Sequence, residues 1–181
     1  MCGFAVAIDW PEAETTVARL IEGIGHRGDV TDPIALAGPA TAMATRRLRI
    51  VDGERAVQPQ ISSDGRLAVS FNGEIYNHEA LRAELAILGA QFKTESDTEV
   101  LANALRVWGF RALERINGMY AFVALDLATG EFLAARDPFG VKPLYVMQSA
   151  AGFLFCSEMR PLIDTVQSGD VMLLPPGYAL S

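Results

Sequence analysis

Between Met119 and Glu158 the chain carries four apolar runs, MYAFVALD, FLAARD, PLYVMQ and FLFCSE, joined only by LATGE, PFGVK and SAAG. Connections this short join antiparallel neighbours, because a parallel pair needs a crossover of a dozen or more residues. Hairpins are therefore expected to dominate the second half of the chain, with mostly antiparallel pairing. Earlier, GFAVAI reads as a short buried strand, and a strand-rich stretch runs from about Ile34 through RRLRIVD. After the turn signal SSDG, RLAVSFN alternates and puts Leu67, Val69 and Phe71 on one face.

Helices fall between these two batches of strands. PEAETTVARLIEGIG has Val17, Leu20, Ile21 and Ile24 at helical spacing, with acidic residues in its first turn. In HEALRAELAIL, Asn77 is placed to cap the start, Leu81, Leu85 and Leu88 point inward, and Gly89 stops the helix. Ser96-Asp97-Thr98-Glu99 is a capping-box pattern before EVLANALRVW. SEMRPLI reads as a short helix, Val171 to Leu174 as a strand, and Pro175-Pro176-Gly177 as a turn. Antiparallel strands with helices set apart in sequence predict a layered α+β fold rather than a doubly wound sheet.

Composition narrows the function. With 181 residues, half of them apolar, the chain is long enough for one domain with a substantial core. A net charge of −7 with no basic cluster argues against nucleic acid as a partner. The apolar run Phe4 to Ile8 is too short for a secretory signal, and nothing approaches a membrane span, so a soluble cytoplasmic protein is expected. Two cysteines, Cys2 and Cys156, and two histidines, His26 and His78, leave little for a zinc site or a histidine triad, and the two thiols are not expected to pair. GIGHRG spells a dinucleotide fingerprint, but a helix precedes it where that motif needs a strand. His26 is read as a loop histidine bonded to the backbone.

Cys2 is the residue that points to chemistry. Termini fray, so a thiol there is a poor packing choice. Once Met1 is removed, Cys2 carries a nucleophilic sulfur and a free α-amine, whose reference pKa of about 7.7–8.0 suits a general base.

Together with Cys2, four further stretches carry a resemblance: RLRIVD (Arg47 to Asp52), FNGEIYN (Phe71 to Asn77), SDTEV (Ser96 to Val100) and ARDPFGVKPLY (Ala135 to Tyr145). The chain resembles class II glutamine amidotransferases, specifically the N-terminal glutaminase domain of asparagine synthetases, over nearly its whole length. The resemblance implies the four-layer α-β-β-α sandwich of N-terminal-nucleophile hydrolases over 1–181. It also implies hydrolysis of L-glutamine to glutamate and ammonia through a thioester on Cys2.

It assigns roles as well. Asn72 and Gly73 would supply two donors to the oxyanion, a side-chain amide and a main-chain N–H with no Cβ in the way of substrate. Arg47 would grip the substrate carboxylate, with Arg46 turned to the opposite face. Leu48, Arg49, Ile50 and Val51 continue the glutamine-binding stretch; Ile50 and Val51 supply backbone groups, and Arg49 takes a solvent or backbone-adjacent role. Asp97 would receive the substrate ammonium, near Glu74 and the Gly73 backbone, because Ser96 takes the helix cap instead. One departure stands out: the family usually reads HRGPD, and here His26-Arg27-Gly28-Asp29-Val30 lacks the proline.

No metal is expected in this domain. No SGGxDS-type loop occurs in these residues, so ATP and Mg are expected on a synthetase domain or subunit that receives the ammonia. The apolar ending VMLLPPGYALS leads to the expectation of a piece of a longer synthetase chain, and the resemblance also allows a homodimer. Two alternatives stay open: an amidotransferase domain serving another carboxylate acceptor, and a non-catalytic docking or regulatory domain.

Overall fold

The computed structural model describes residues 2–48, 56–165 and 169–181, with Leu36 described by its backbone alone. In chain order the elements are β1 (Gly3–Ile8), α1 (Ala13–Gly23), β2 (Val30–Thr31), β3 (Ala35–Leu36), β4 (Ala42–Arg47), β5 (Gln60–Ile61) and β6 (Leu67–Ile75). They continue with α2 (His78–Ile87), α3 (Asp97–Trp108), α4 (Ala112–Arg115), β7 (Gly118–Asp126), β8 (Phe132–Arg136), β9 (Tyr145–Ser149), β10 (Gly152–Cys156), α5 (Met159–Thr165), β11 (Val171–Leu173) and β12 (Ala179–Leu180). Among these, no helix is long and apolar enough to cross a membrane.

Two antiparallel sheets carry the fold. One runs β11-β9-β10-β1-β4-β2, with β3 also on β4; the other runs β12-β8-β7-β6-β5. Strand alternation then builds three apolar interfaces. Phe4, Val6 and Ile8 of β1 face Ala68, Ala121 and Val123 between the sheets. The opposite face of β1, Ala5 and Ala7, packs under Val17, Leu20 and Ile21 of α1 and Leu162 of α5. Val69 and Phe71 of β6 pack outward against Leu81 and Leu85 of α2 and Leu101 and Leu105 of α3, with Leu67 at the margin. The layers are α, β, β, α.

Two local expectations are corrected. Leu88 is 58% exposed. It follows the end of α2, where Gly89 at φ 94° turns the chain, and Ala90 and Phe92 pack on that core instead. Asn77 sits at the N-cap of α2 but makes no capping bond. Its amide instead donates to the Arg115 carbonyl at 2.8 Å and accepts the Asn117 N–H at 3.0 Å, tying the start of α2 to the approach to β7.

Arg136 and Asp137 hold the turn after β8. The Arg136 guanidinium donates to the carbonyls of Gly140, Lys142 and Leu174, each at 2.7 Å. The fully buried Asp137 carboxylate accepts N–H bonds from Tyr120, Phe139, Val141 and Lys142 at 3.0–3.2 Å. Burial alone would push the Asp137 pKa up, but these four donors favour the anion and hold it below the ordinary aspartate value.

Candidate active site

The residue before β1 is Cys2, and three contacts fix it. The Leu48 N–H donates to Cys2 Sγ at 3.4 Å, and the thiol lies 3.9 Å from the Leu48 carbonyl. Arg27 Nε donates to the Cys2 carbonyl at 3.0 Å. Cys2 and Cys156 are both free thiols. Cys156 is fully buried, and burial pushes its thiol up to about 12, so Cys2 is the reactive one of the pair.

Cys2 opens onto a cavity of about 170 Å³ that Arg47, Gln58, Gly73, Glu74 and Asp97 also line. Drug-sized sites run to about 300–1,000 Å³, so this one fits an amino acid better than a nucleotide. It offers a guanidinium and carboxylates together, which is the charge pattern a zwitterion needs.

β6 sets how the main chain faces that cavity. The Phe71 N–H donates to Gln58 Oε1 at 2.8 Å and the Ile75 N–H to Asp97 Oδ2 at 2.9 Å, both away from β7. Gly73 lies midway between them and is paired with Tyr120, whose own N–H and C=O both bond Asp137 on the far side. In an antiparallel pair that alternation gives the Gly73 N–H the same direction as its neighbours two residues away, into the cavity between Gln58 and Asp97. The neighbouring strand gives a further reason for glycine at this position. A Cβ on Gly73 would lie 2.3 Å from the Met119 carbonyl, in the neighbouring strand.

Asn72 has the opposite parity and faces the first sheet rather than lining the cavity. It is 2% exposed, and its Nδ2 has no hydrogen-bond partner among the described residues. A buried donor left unpaired costs about 1–3 kcal/mol, so such a group points to function.

Arg47 is buried and held from behind by Asp32, with Nε to Oδ2 at 2.5 Å and Nη2 to Oδ1 at 2.8 Å. The Asp32 carboxylate also accepts the Gln58 N–H at 3.0 Å, while Gln58 Nε2 reaches Thr98 Oγ1 at 3.5 Å. Arg46 does take the opposite face and bonds the carbonyls of Gly25 and Gly28. Gly28 packs directly on β4, where a Cβ would lie 2.4 Å from the Arg47 carbonyl carbon. Val30, at the departure from the family pattern, pairs with Arg47 in β2.

Asp97 is the first residue of α3. Ser96 caps that helix by accepting the Glu99 N–H at 3.2 Å. Glu99 completes no reciprocal box; its carboxylate takes the N–H groups of Lys93 and Thr94 at 2.8 Å each. Asp97 is thus spared the cap, as expected, and braces the end of β6 instead. Burial pushes its pKa up, opposed by the Ile75 N–H and by His78.

Of the residues expected from sequence, Cys2, Arg47, Leu48, Gly73, Glu74 and Asp97 come together at the cavity, with Asn72 behind it. Arg49, Ile50 and Val51 lie outside the described residues. Asp32, Gln58 and Glu158 were not anticipated, and no spacing signal marks them; Arg27 lies in the His26-Arg27-Gly28 stretch that carries the resemblance but was given no role there. His26 bonds the Glu158 carboxylate at 2.7 Å rather than the backbone, because the strand end that carries Glu158 lies beside the turn holding His26.

The sequence model of a family described as glutamine amidotransferase domain matches residues 1–172. A glutamine-hydrolysing asparagine synthetase of Triphysaria versicolor is 37% identical over all of this chain and 31% of its own length. Asparagine synthetase 3 of Arabidopsis thaliana is 42% identical over 77% of this chain and 24% of its own. The chain therefore spans about a third or less of these relatives. Among solved structures, the glutamine PRPP amidotransferase of B. subtilis superposes with a TM-score of 0.78 at 24% identity, over 99% of this chain and 46% of that one, so the two share the α-β-β-α fold.

Proposed function

Because the chain belongs to the glutamine amidotransferase domain family, we propose that Cys2 hydrolyses L-glutamine through a thioester and that the ammonia feeds an ATP-dependent synthetase. The observation that carries this reading is the cavity itself, which joins the Cys2 thiol, a cavity-facing Gly73 N–H, Arg47 and Asp97. Arg47 takes the substrate α-carboxylate, and Asp97 with Glu74 takes the α-ammonium, which leaves the side-chain amide directed at the thiol.

The chemistry then balances on this chain's own groups. With Met1 removed, the Cys2 α-amine accepts the thiol proton as sulfur bonds the amide carbon. The oxyanion is met by the Gly73 N–H and by Asn72 Nδ2, a buried donor with no hydrogen-bond partner among the described residues. Collapse breaks the C–N bond as the α-ammonium gives its proton to the leaving nitrogen, which departs as ammonia. Water then cleaves the thioester, releasing glutamate and restoring the thiol.

In this reading ATP and Mg belong to the synthetase partner, and asparagine is the product, as the relatives' names suggest. The test is release of glutamate and ammonia from glutamine by the purified chain, with intact mass showing Met1 absent. Turnover by protein that retains Met1 would remove the α-amine from the mechanism.

A further inference from the structure

The segment after β10 approaches Cys2 from the side opposite the cavity. Ser157 continues the ladder onto β1, donating its N–H to the Phe4 carbonyl at 3.1 Å and accepting the Phe4 N–H on Oγ at 3.0 Å. The next residue, Glu158, accepts Arg27 Nη1 at 2.9 Å and His26 Nε2 at 2.7 Å, both on Oε1. The Arg27 side chain is 9% exposed and lies across the first peptides of the chain. Its Cδ would be 2.7 Å from a Cβ on Gly3, and its Nε holds the Cys2 carbonyl.

We infer that Glu158 is a positioning residue for the nucleophile, acting through Arg27 to hold the Cys2 main chain against fraying. The inference rests on the reading of Cys2 as nucleophile. A guanidinium this buried needs a carboxylate to neutralise it, since an unpaired buried charge is costly. Nη2 has no hydrogen-bond partner among the described residues, so Glu158 supplies the compensating charge and Cys2 receives the remaining anchoring bond. Without the carboxylate, Arg27 gains by swinging to water, and that motion releases the Cys2 carbonyl. Terminal residues fray unless tied down. Misplacement by about 1 Å costs up to about 10²-fold in rate.

The test uses the whole chain with Glu158→Gln, Arg27→Met and the double variant. Three quantities are read: kcat and KM for glutamine, the rate of Cys2 alkylation by iodoacetamide mapped by mass, and the melting temperature. Cys156 is silent in the alkylation because it is buried. Glu158→Gln is expected to lower kcat by about tenfold or more with KM little changed, while alkylation of the released thiol speeds up. The double variant should be no worse than Arg27→Met alone, because both substitutions break one connection. Effects that multiply in the double variant would overturn the inference. So would Glu158→Gln with kcat and alkylation both at the wild-type level, whatever the melting temperature does. If the wild-type chain releases no glutamate, the functional reading fails, and the alkylation rate alone decides whether Glu158 holds Cys2.

Discussion

Arg47 and Asp32 form a bidentate pair with both side chains buried, Nε to Oδ2 at 2.5 Å and Nη2 to Oδ1 at 2.8 Å. The guanidinium that would hold the substrate carboxylate is thus aimed by a carboxylate fifteen residues away. Removing one partner of a buried pair costs about 3–5 kcal/mol, because it strands the other charge. Asp32→Ala should therefore lower the melting temperature and raise KM for glutamine together. Arg47→Ala should raise KM, losing a charge-assisted contact worth about 1.5–3 kcal/mol. An unchanged KM in Arg47→Ala would remove Arg47 from substrate binding.

Asp97 should give glutamine binding an acid limb. Burial raises its pKa, and a substrate ammonium needs the ionised form. KM should therefore climb on acidification at a higher pH than an ordinary aspartate would produce. Asp97→Asn should raise KM and flatten that limb. A pH profile of KM that is the same in both proteins would contradict the assignment. Raised in the free protein, this pKa makes ionised Asp97 a small cost to folding that grows as pH rises through it.

Asn72 offers a contrast between stability and rate. Its Nδ2 is buried and has no hydrogen-bond partner among the described residues, so Asn72→Ala removes a donor that none of them uses. Turnover should fall by about 10²–10³ with little loss of melting temperature. Equal turnover in the two proteins would exclude Asn72 from the oxyanion site.

Asp137 behaves in the opposite way, as a structural anion. Its carboxylate serves four N–H groups, and each orphaned buried donor costs about 1–3 kcal/mol, so Asp137→Ala should lose at least about 3 kcal/mol. The pKa is lowered in the fold, so the stability it confers is full above the ordinary value of about 3.9 and lost as pH falls through the lowered one. Acid unfolding of Asp137→Ala should show a shallower pH dependence than the parent.

What was legible in the sequence followed periodicity and short-range turn chemistry. The alternation in β6 placed Leu67, Val69 and Phe71 correctly, and LATGE and SAAG do close hairpins, β7 with β8 and β9 with β10; PFGVK does not, because it carries the chain from one sheet to the other. Strands of two residues, β2 and β5, carry no period and exist only through their pairing with β4 and β6. The direction of the Gly73 N–H was equally hidden, because it depends on Tyr120 turning its polar groups to Asp137. Arg27 with Glu158, 131 residues apart, and Arg47 at the end of β4 with Asp32 just after β2 are contacts brought about by the sheet, which no local pattern encodes.

The thioester on Cys2 is tested most directly by glutamate release from glutamine in Cys2→Ala beside the parent chain, each checked for an unchanged melting temperature. A residue ahead of the first strand and partly exposed contributes little packing, so the variant should fold normally and release no glutamate above the uncatalysed rate. Sustained glutamate release by folded Cys2→Ala would contradict the account.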